Sequence, residues 1–271
     1  MSLRIQSNIE AFNAHRYLVG TSDKLSKAME RLSSGYRINR AADDSAGLAI
    51  SEKLRAQVGG LQQAQRNVQD AISLVQTAEG ALGEVHAMLQ RVRDLAVQFQ
   101  NGTLSTADKA AITAEVAQLC AEIARIASQT KFNGISLLSG GATITFQVGA
   151  DDGQTLTVSG VDLFGSGAAF AVDLAIFDWT SGVTLASIDE AIANVSDVRS
   201  TFGSVQNRLE HTLNNLASYE ENLAASESRI RDVDMAKEMV NFTKLQILQQ
   251  AGTAMLAQAN LAPQSVLSLL R

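Results

Sequence analysis

"LRAQVGGLQQAQRNVQDAISLVQTAEGALGEVHAMLQRVRDLAVQF", residues 54–99, decides the fold. Positions seven apart read Leu54, Leu61, Val68, Val75, Leu82, Leu89 and Ala96. A second series, Ala64, Ala71, Ala78, Val85, Val92 and Phe99, falls between them at spacings of three and four. Two interleaved seven-residue series make a heptad seam, the mark of a helix that packs along its length against another helix. The pattern predicts a helix over 48–100, about 80 Å long at 1.5 Å per residue. One series is large and the other begins small, so a partner can approach closely. Gly59, Gly60, Gly80 and Gly83 lie inside the run and each is expected to cost helix stability.

The partner is near the other end of the chain. Ile188, Val195, Phe202, Leu209, Leu216, Leu223 and Ile230 are seven apart, with Ala191, Val198, Val205, Thr212 and Tyr219 in the intervening stripe. Ser187 and Glu190 offer a capping box at the start. A helix over 187–231 would run roughly 65–70 Å. Two seams of similar length pack most simply against each other as an antiparallel rod.

Smaller pieces separate them. "STADKAAITAEVAQLCAEIARIASQ" predicts a third helix over 105–129, with Ser105 and Asp108 suited to its start. "ATITFQVGADDGQTLTVSG" alternates β-forming residues around Asp-Asp-Gly, a hairpin signal. Asp151 and Asp152 lack the remaining ligand spacing of a calcium loop, so turn chemistry is the reading. Residues 160–186 have no clean period and read as a short excursion.

The two ends carry looser stripes: Ile5, Ile9, Phe12, Leu18, Leu25 and Leu32 at one, Met235, Met239, Phe242, Leu245, Leu248, Ala251 and Met255 at the other. Each has too few apolar residues to build a core alone, so the tails are expected to pair with each other and with neighbours. "RLSSGYRINRAADDSAG", residues 31–47, interrupts the first tail and the long helix with small, polar and charged residues. The fold class is therefore mainly α: a long antiparallel coiled-coil rod with one β-hairpin, plus paired N- and C-terminal helices.

Composition narrows the function. Among 271 residues there is one proline, Pro263, and 5% aromatic content, which favours long helices. The formal net charge is −6. Residues 1–40 carry seven Lys/Arg against three Asp/Glu and residues 232–271 three of each, so the acidic excess lies in 41–231. An acidic middle argues against nucleic-acid binding, and the dispersed basic residues of the N-terminal segment read as a solvated face or protein interface. No stretch approaches the roughly 20 apolar residues of a membrane span. "MSLRIQSNIEAFNAHR" lacks the apolar run and cleavage site of a signal peptide, so the expectation is a cytosolic chain or one exported without cleavage.

Nothing in the pattern points to catalysis or to a cofactor. His15, His86 and His211 are far apart, and no His-Glu-x-x-His run, phosphate loop or nucleophile elbow occurs. Cys120 is the single cysteine, set in "QLCAEI", and reads as a small buried hydrophobe. No Cys/His zinc spacing exists.

Several segments, in order, carry a resemblance: "IQSNIEAFNAHRYL", "RLSSGYRINRAADDSAGLAISEKLRAQ", "QRVRDLAVQ", "FNGISLL", "FQVGADDGQT", "ESRIRDVDMAKEM" and "ILQQAGTAMLAQAN". Together they resemble bacterial flagellin, the filament subunit of the flagellum, over about 2–150 and 187–271. The resemblance implies residues 1–44 and 232–271 as a terminal coiled-coil domain lining the inner tube, 45–159 and 187–231 as a core rod domain, and 160–186 as a short variable excursion. It implies that the tails fold on assembly and that their packing rests on Ile5, Ile9, Phe12, Phe242, Leu245, Leu248 and Leu256. It makes 31–47 the joint between tails and rod, with Arg31, Arg37, Arg40, Asp43 and Asp44 as charged contacts there, and the hairpin at 142–158 the element sensitive to filament shape.

Partners follow from the same resemblance: other copies of the chain in a helical homopolymer, a flagellar export chaperone on the C-terminal tail, and filament cap and junction proteins. Export is through the flagellar type III apparatus, ending in an extracellular filament. Gln90, Arg91, Leu95 and Glu115 match a surface read by a vertebrate Toll-like receptor of innate immunity, with Arg91 and Leu95 beside the core seam. Asp94 stands where strongly stimulating flagellins carry glutamate. The alternative is a hook–filament junction protein with flagellin-like ends. A flagellin with a protease insert and a general coiled-coil scaffold fit less well, the first for want of a zinc motif and the second because it leaves the core-poor tails unexplained.

Overall fold

The computed structural model describes residues 8–140, 143–163 and 184–269, with side chains to 261. Five helices follow the seams: α1 (Ile9–Ser34), α2 (Ser45–Phe99), α3 (Thr106–Gln129), α4 (Leu185–Arg231) and α5 (Met235–Leu269). Between α3 and α4 lie β1 (Lys131–Phe132) with β2 (Ile135–Ser136), and β3 (Thr143–Gln147) with β4 (Thr155–Ser159). Both strand pairs are antiparallel, the second in the register Thr143 with Ser159 through Gln147 with Thr155. The mainly α fold class read from the sequence is the one observed, with β1 and β2 a second, two-residue strand pair beyond the one hairpin expected.

The chain divides into two compact units, Met1–Ala56 with Asn222–Arg271, and Gln57–Glu221. In the second unit the heptad residues of α2 form the core: Leu61, Val68, Val75, Leu82 and Leu89 are buried, and so are Ala64, Ala71, Ala78, Val85 and Val92. Ile188, Val195, Phe202 and Leu209 of α4 are buried with Ile112, Val116 and Ile123 of α3. Polar contacts along the seam fix the antiparallel register. Gln62 and Gln65 donate to the Glu220 carboxylate at 2.7 and 2.6 Å. At the far end Arg93 pairs with Asp189 at 2.5 Å. A helix as long as α2 cannot hold itself straight by propensity; it is held by the apolar stripe along its buried side.

Local chemistry sets the ends. Ser105 and Asp108 form the expected capping box on α3. For α4 the expected box of Ser187 and Glu190 gives way to an earlier start: the helix begins at Leu185, and Ser187 bonds back to Thr184 through its hydroxyl (2.7 Å to the carbonyl) and its N–H. Thr184 therefore caps a helix two residues longer than expected. The turn between β1 and β2 is Asn133-Gly134, both with positive φ (48° and 82°), the hairpin geometry this dipeptide favours.

One glycine inside α2 has a packing reason. A Cβ on Gly60 would stand 3.0 Å from Ala150 Cβ, in the loop between β3 and β4. The missing side chain lets the hairpin lie against the helix, and Asn67 fastens it there by donating to the Gln147 carbonyl at 3.0 Å. The Asp-Asp-Gly segment makes the hairpin turn, with Gly153 at φ 82°. Among the described residues no cluster of His, Cys, Asp and Glu could hold a metal ion, and no helix is long and apolar enough to cross a membrane.

Candidate functional site

The terminal unit is built on α1 and α5, which run antiparallel. Asn8 Nδ2 donates to the Ala259 carbonyl at 2.7 Å, and the Val233 N–H donates to the Gly35 carbonyl at 3.0 Å, so opposite ends of the two helices meet. The buried seam differs from the expected stripes. On α1 it runs through Ala11, Ala14, Leu18, Leu25, Ala28 and Leu32; on α5 through Phe242, Leu245, Gly252, Leu256 and Ala259. A Cβ on Gly252 would lie 3.2 Å from Leu18 Cδ1, so the contact is close.

Of the predicted tail-packing residues, Leu245 is buried, while Phe242 and Leu256 are half-buried. Ile9, Phe12 and Leu248 are exposed, Phe12 most of all at 74%. Ile5 lies outside the described residues. The expected stripe mixed two faces because α5 is apolar on both. Met235, Met239, Val240, Ile247, Leu248, Met255 and Leu261 are all exposed, spread around the rest of its circumference. Met239, Val240, Thr243, Lys244 and Ile247 line a shallow open groove there. Within one chain the seam takes a mix of small and large apolar residues, and further large apolar ones are left exposed. That arrangement leaves a helix that can be buried from both sides.

The joint at 31–47 is closed by contacts within the chain. α1 ends at Gly35 in the left-handed region (φ 77°), whose N–H donates to the Arg31 carbonyl at 2.9 Å. The next residue, Tyr36, forms a β-bridge with Asp232. Arg37 donates twice to the end of α4: through its N–H to the Arg231 carbonyl at 2.7 Å and through Nη2 to the Ile230 carbonyl at 2.5 Å. A cation at carbonyls that the helix leaves unpaired complements the negative end of its dipole. Ile38, 1% exposed, plugs the centre.

Arg40 bonds Glu30 at 3.0 Å, and its N–H reaches Asp43 at 3.2 Å. Asp43 also lies 3.7 Å from Lys27. The Arg40 backbone N–H holds the Asp43 carboxyl below its ordinary value, aided by the Asn39 N–H and by Lys27 and Arg31 and opposed by partial burial. Asp44 accepts from the Gly47 N–H at 2.8 Å and caps the start of α2. Arg31, half-buried, reaches the cluster through its charge on Asp43. The sequence did not single out Arg231, Glu52, Tyr36, Lys27 or Glu30, which complete this network. The only sequence signal for Arg231 was its place in the last turn of a long helix, where cations are favoured.

In the long-helix unit, Arg91 reaches Glu115 on α3 by two hydrogen bonds, 3.1 Å from Nε and 2.7 Å from Nη2, and both side chains are about half exposed. Gln90 is exposed and bonds His86 at 2.9 Å. Leu95, expected beside the seam, is only 2% exposed. Its side chain therefore belongs to the core and offers no outer surface. Cys120 is half-buried, and burial pushes its thiol up to about 11, which leaves it protonated and unreactive at neutral pH.

Known proteins fit this architecture at both ends. The model of the bacterial flagellin N-terminal helical region matches residues 5–143, and that of the bacterial flagellin C-terminal helical region matches 185–270. A flagellin of Halalkalibacterium halodurans is 55% identical over 98% of this chain and 99% of its own length. A flagellin of Bacillus subtilis is 48% identical over 99% of this chain and 100% of its own. A flagellar filament 33 kDa core protein of Treponema phagedenis is 46% identical, covering 98% and 99%.

Proposed function

The chain belongs to the bacterial flagellin family, and we propose that the outward faces of α1 and α5 are the surfaces through which its copies join. It is a structural subunit that polymerises into the flagellar filament, an extracellular propeller for swimming. The observation that carries the assembly surface is the apolar outer side of α5. A helix apolar on both sides is stable in water only when both sides are covered. Within the chain α1 covers one side; copies of the chain cover the other. A heterologous contact whose rotation does not close on itself extends into a helical polymer.

In this reading residues 1–44 and 232–271 form the inner-tube domain and 45–159 with 187–231 the rod. Arg31, Arg37, Arg40, Asp43 and Asp44 are the charged contacts of the joint. Their in-chain bonds favour a positioning role: Arg40→Ala or Asp43→Ala alters filament shape or weakens assembly more than it unfolds the chain. The hairpin against Gly60 is the candidate for shape sensitivity. An export chaperone covers the C-terminal tail before secretion through the flagellar apparatus, shielding Phe242, Leu248 and Leu256. Cap and junction proteins meet the filament ends. The chain performs no catalysis; its function is mechanical.

Gln90, Arg91 and Glu115 remain the candidate surface for a vertebrate Toll-like receptor, without Leu95. The half-exposed Arg91–Glu115 pair, with two Arg91 donors on one Glu115 oxygen, supports a polar docking patch. A cell reporter assay comparing the chain with Arg91→Ala tests it; equal signals remove the assignment.

Assembly is tested by seeded polymerisation watched by electron microscopy. Purified chain and an Ile247→Glu variant are each mixed with short filament fragments. Long tubes from the parent and none from the variant support the reading. A parent that only caps the fragments favours the junction alternative. A parent that remains a closed oligomer rejects a filament.

A further inference from the structure

The exposed methionines of the described residues all sit in the terminal unit. Met29 on α1 and Met235, Met239 and Met255 on α5 are each about half exposed or more. Met88, in the long-helix unit, is half-buried. Met235 and Met239 are one helical turn apart, and Met239 is part of the wall of the apolar groove. Thioethers are apolar and flexible, and they adapt well to a packed contact. They are also the side chains, after thiols, that oxidise most readily. The one thiol, Cys120, is half-buried with its thiolate disfavoured.

Resting on the assembly reading above, we propose that Met29, Met235, Met239 and Met255 form an oxidation-sensitive site at which a hydroperoxide stops polymerisation of the free chain. A methionine sulfur lone pair attacks one peroxide oxygen. The O–O bond breaks, an S–O bond forms, and the departing oxygen takes a proton to leave as water or an alcohol. Sulfur loses two electrons and the peroxide gains them. The sulfoxide is polar, so an apolar face that must be buried now carries strong acceptors with no donor opposite. Burying an unpaired polar group is unfavourable enough to defeat a contact built from side chains such as Val240 and Ile247. Chains already in a filament have these sulfurs covered and oxidise more slowly. Enzymatic reduction of the sulfoxides restores the apolar face.

The test treats free full-length chain with hydrogen peroxide, removes the excess with catalase, and adds the chain to untreated filament fragments. Peptide masses report which methionines have gained oxygen, and circular dichroism reports that the helices persist. Elongation is expected to fall about tenfold or more, the effect of about 1.4 kcal/mol lost at the contact. The variant carrying Met29→Leu, Met235→Leu, Met239→Leu and Met255→Leu together is expected to elongate at a rate of its own that peroxide does not change. A sulfoxide reductase is expected to rescue the parent. Unchanged elongation of a parent oxidised at all four positions overturns the proposal. So does equal peroxide sensitivity in the leucine variant, or equal oxidation rates in filament and free chain. If untreated parent does not elongate, the assembly reading itself fails and takes this inference with it.

Discussion

The guanidinium of Arg231, at the end of α4, lies 2.6 Å from the Glu52 carboxylate and 4.9 Å from the centre of the Tyr36 ring. One side chain thus ties α2, α4 and the segment after α1 together. The arginine side chain is 13% exposed and the glutamate 52%. That asymmetry decides the prediction. Arg231→Ala loses an ion pair, a cation–π contact and packing at once, and is expected to lower stability by about 1–3 kcal/mol. Glu52→Ala, at the wetter partner, is expected to cost under about 1 kcal/mol. Urea unfolding of the two variants checks the ratio; equal losses would reject Arg231 as the hub.

Gly47 and Asp44 make a second constraint on the joint. The Asp44 carboxylate caps α2 through the Gly47 N–H, and a Cβ at 47 would collide with that carboxylate and stand 2.8 Å from Ile38 Cδ1. Asp44→Ala is expected to cost about 1 kcal/mol, the usual worth of an N-cap. Gly47→Ala is expected to cost about 1–3 kcal/mol, because it displaces both the cap and the buried Ile38. Thermal melts would show Gly47→Ala as the larger loss. A neutral Gly47→Ala would mean that the cap relaxes freely.

Acid is expected to loosen the joint at Asp43. Hydrogen bonding by the Arg40 N–H comes first among the causes that lower the folded carboxyl below its unfolded value of 3.8. A depressed acid contributes stability that is full above the unfolded value and disappears as pH falls through the folded one. Stability should therefore decline below about pH 4, and Asp43→Asn should flatten that part of the profile while lowering stability at neutral pH. Unfolding measured from pH 7 to pH 2 on the two chains tests the sign.

Cys120 provides a probe of the long-helix unit. Its thiol is pushed from 9.0 to about 11 by burial. At pH 8 the thiolate population is then about 100-fold below that of an ordinary cysteine, and labelling by a maleimide should slow accordingly. Denaturant should restore the ordinary rate. Fast labelling of native chain would place the sulfur in water.

The rods were legible because their signal is periodic and long. Leu61 through Ala96 are spaced by their own packing, so the buried face follows from counting, and the capping box at Ser105 follows from two residue types three apart. The start of α4 was misplaced because Thr184 and Ser187 both suit a cap, and only the backbone shows which one the helix reaches. The tails misled for another reason. When both sides of α5 are apolar, periodicity cannot say which residues α1 takes and which are left for neighbouring copies, so Met235, Met239 and Leu248 could not be told apart from Phe242 and Leu245. Leu95, read as lying beside the seam, is 2% exposed and part of the core, which the heptad series alone does not show. The joint's aspartates and arginines were visible as charges, but Arg231 and Glu52 lie 179 positions apart in sequence and nothing local links them.

The two sides of α5 should separate folding from assembly. Leu245 is 7% exposed in the seam with α1, whereas Leu248, less than one helical turn away, is 47% exposed. Leu245→Ala removes packed methyl groups and leaves a cavity, so the terminal unit is expected to lose about 2–4 kcal/mol. Leu248→Ala trims a side chain already 47% exposed and is expected to cost less, about 1 kcal/mol or under. If outward apolar residues are covered by neighbouring copies, Leu248→Ala should nevertheless slow seeded elongation or raise the chain concentration needed for it. Unfolding curves and elongation rates on both variants decide the matter. Normal elongation of Leu248→Ala, together with Ile247→Glu, would leave the outer side of α5 without a role in the filament.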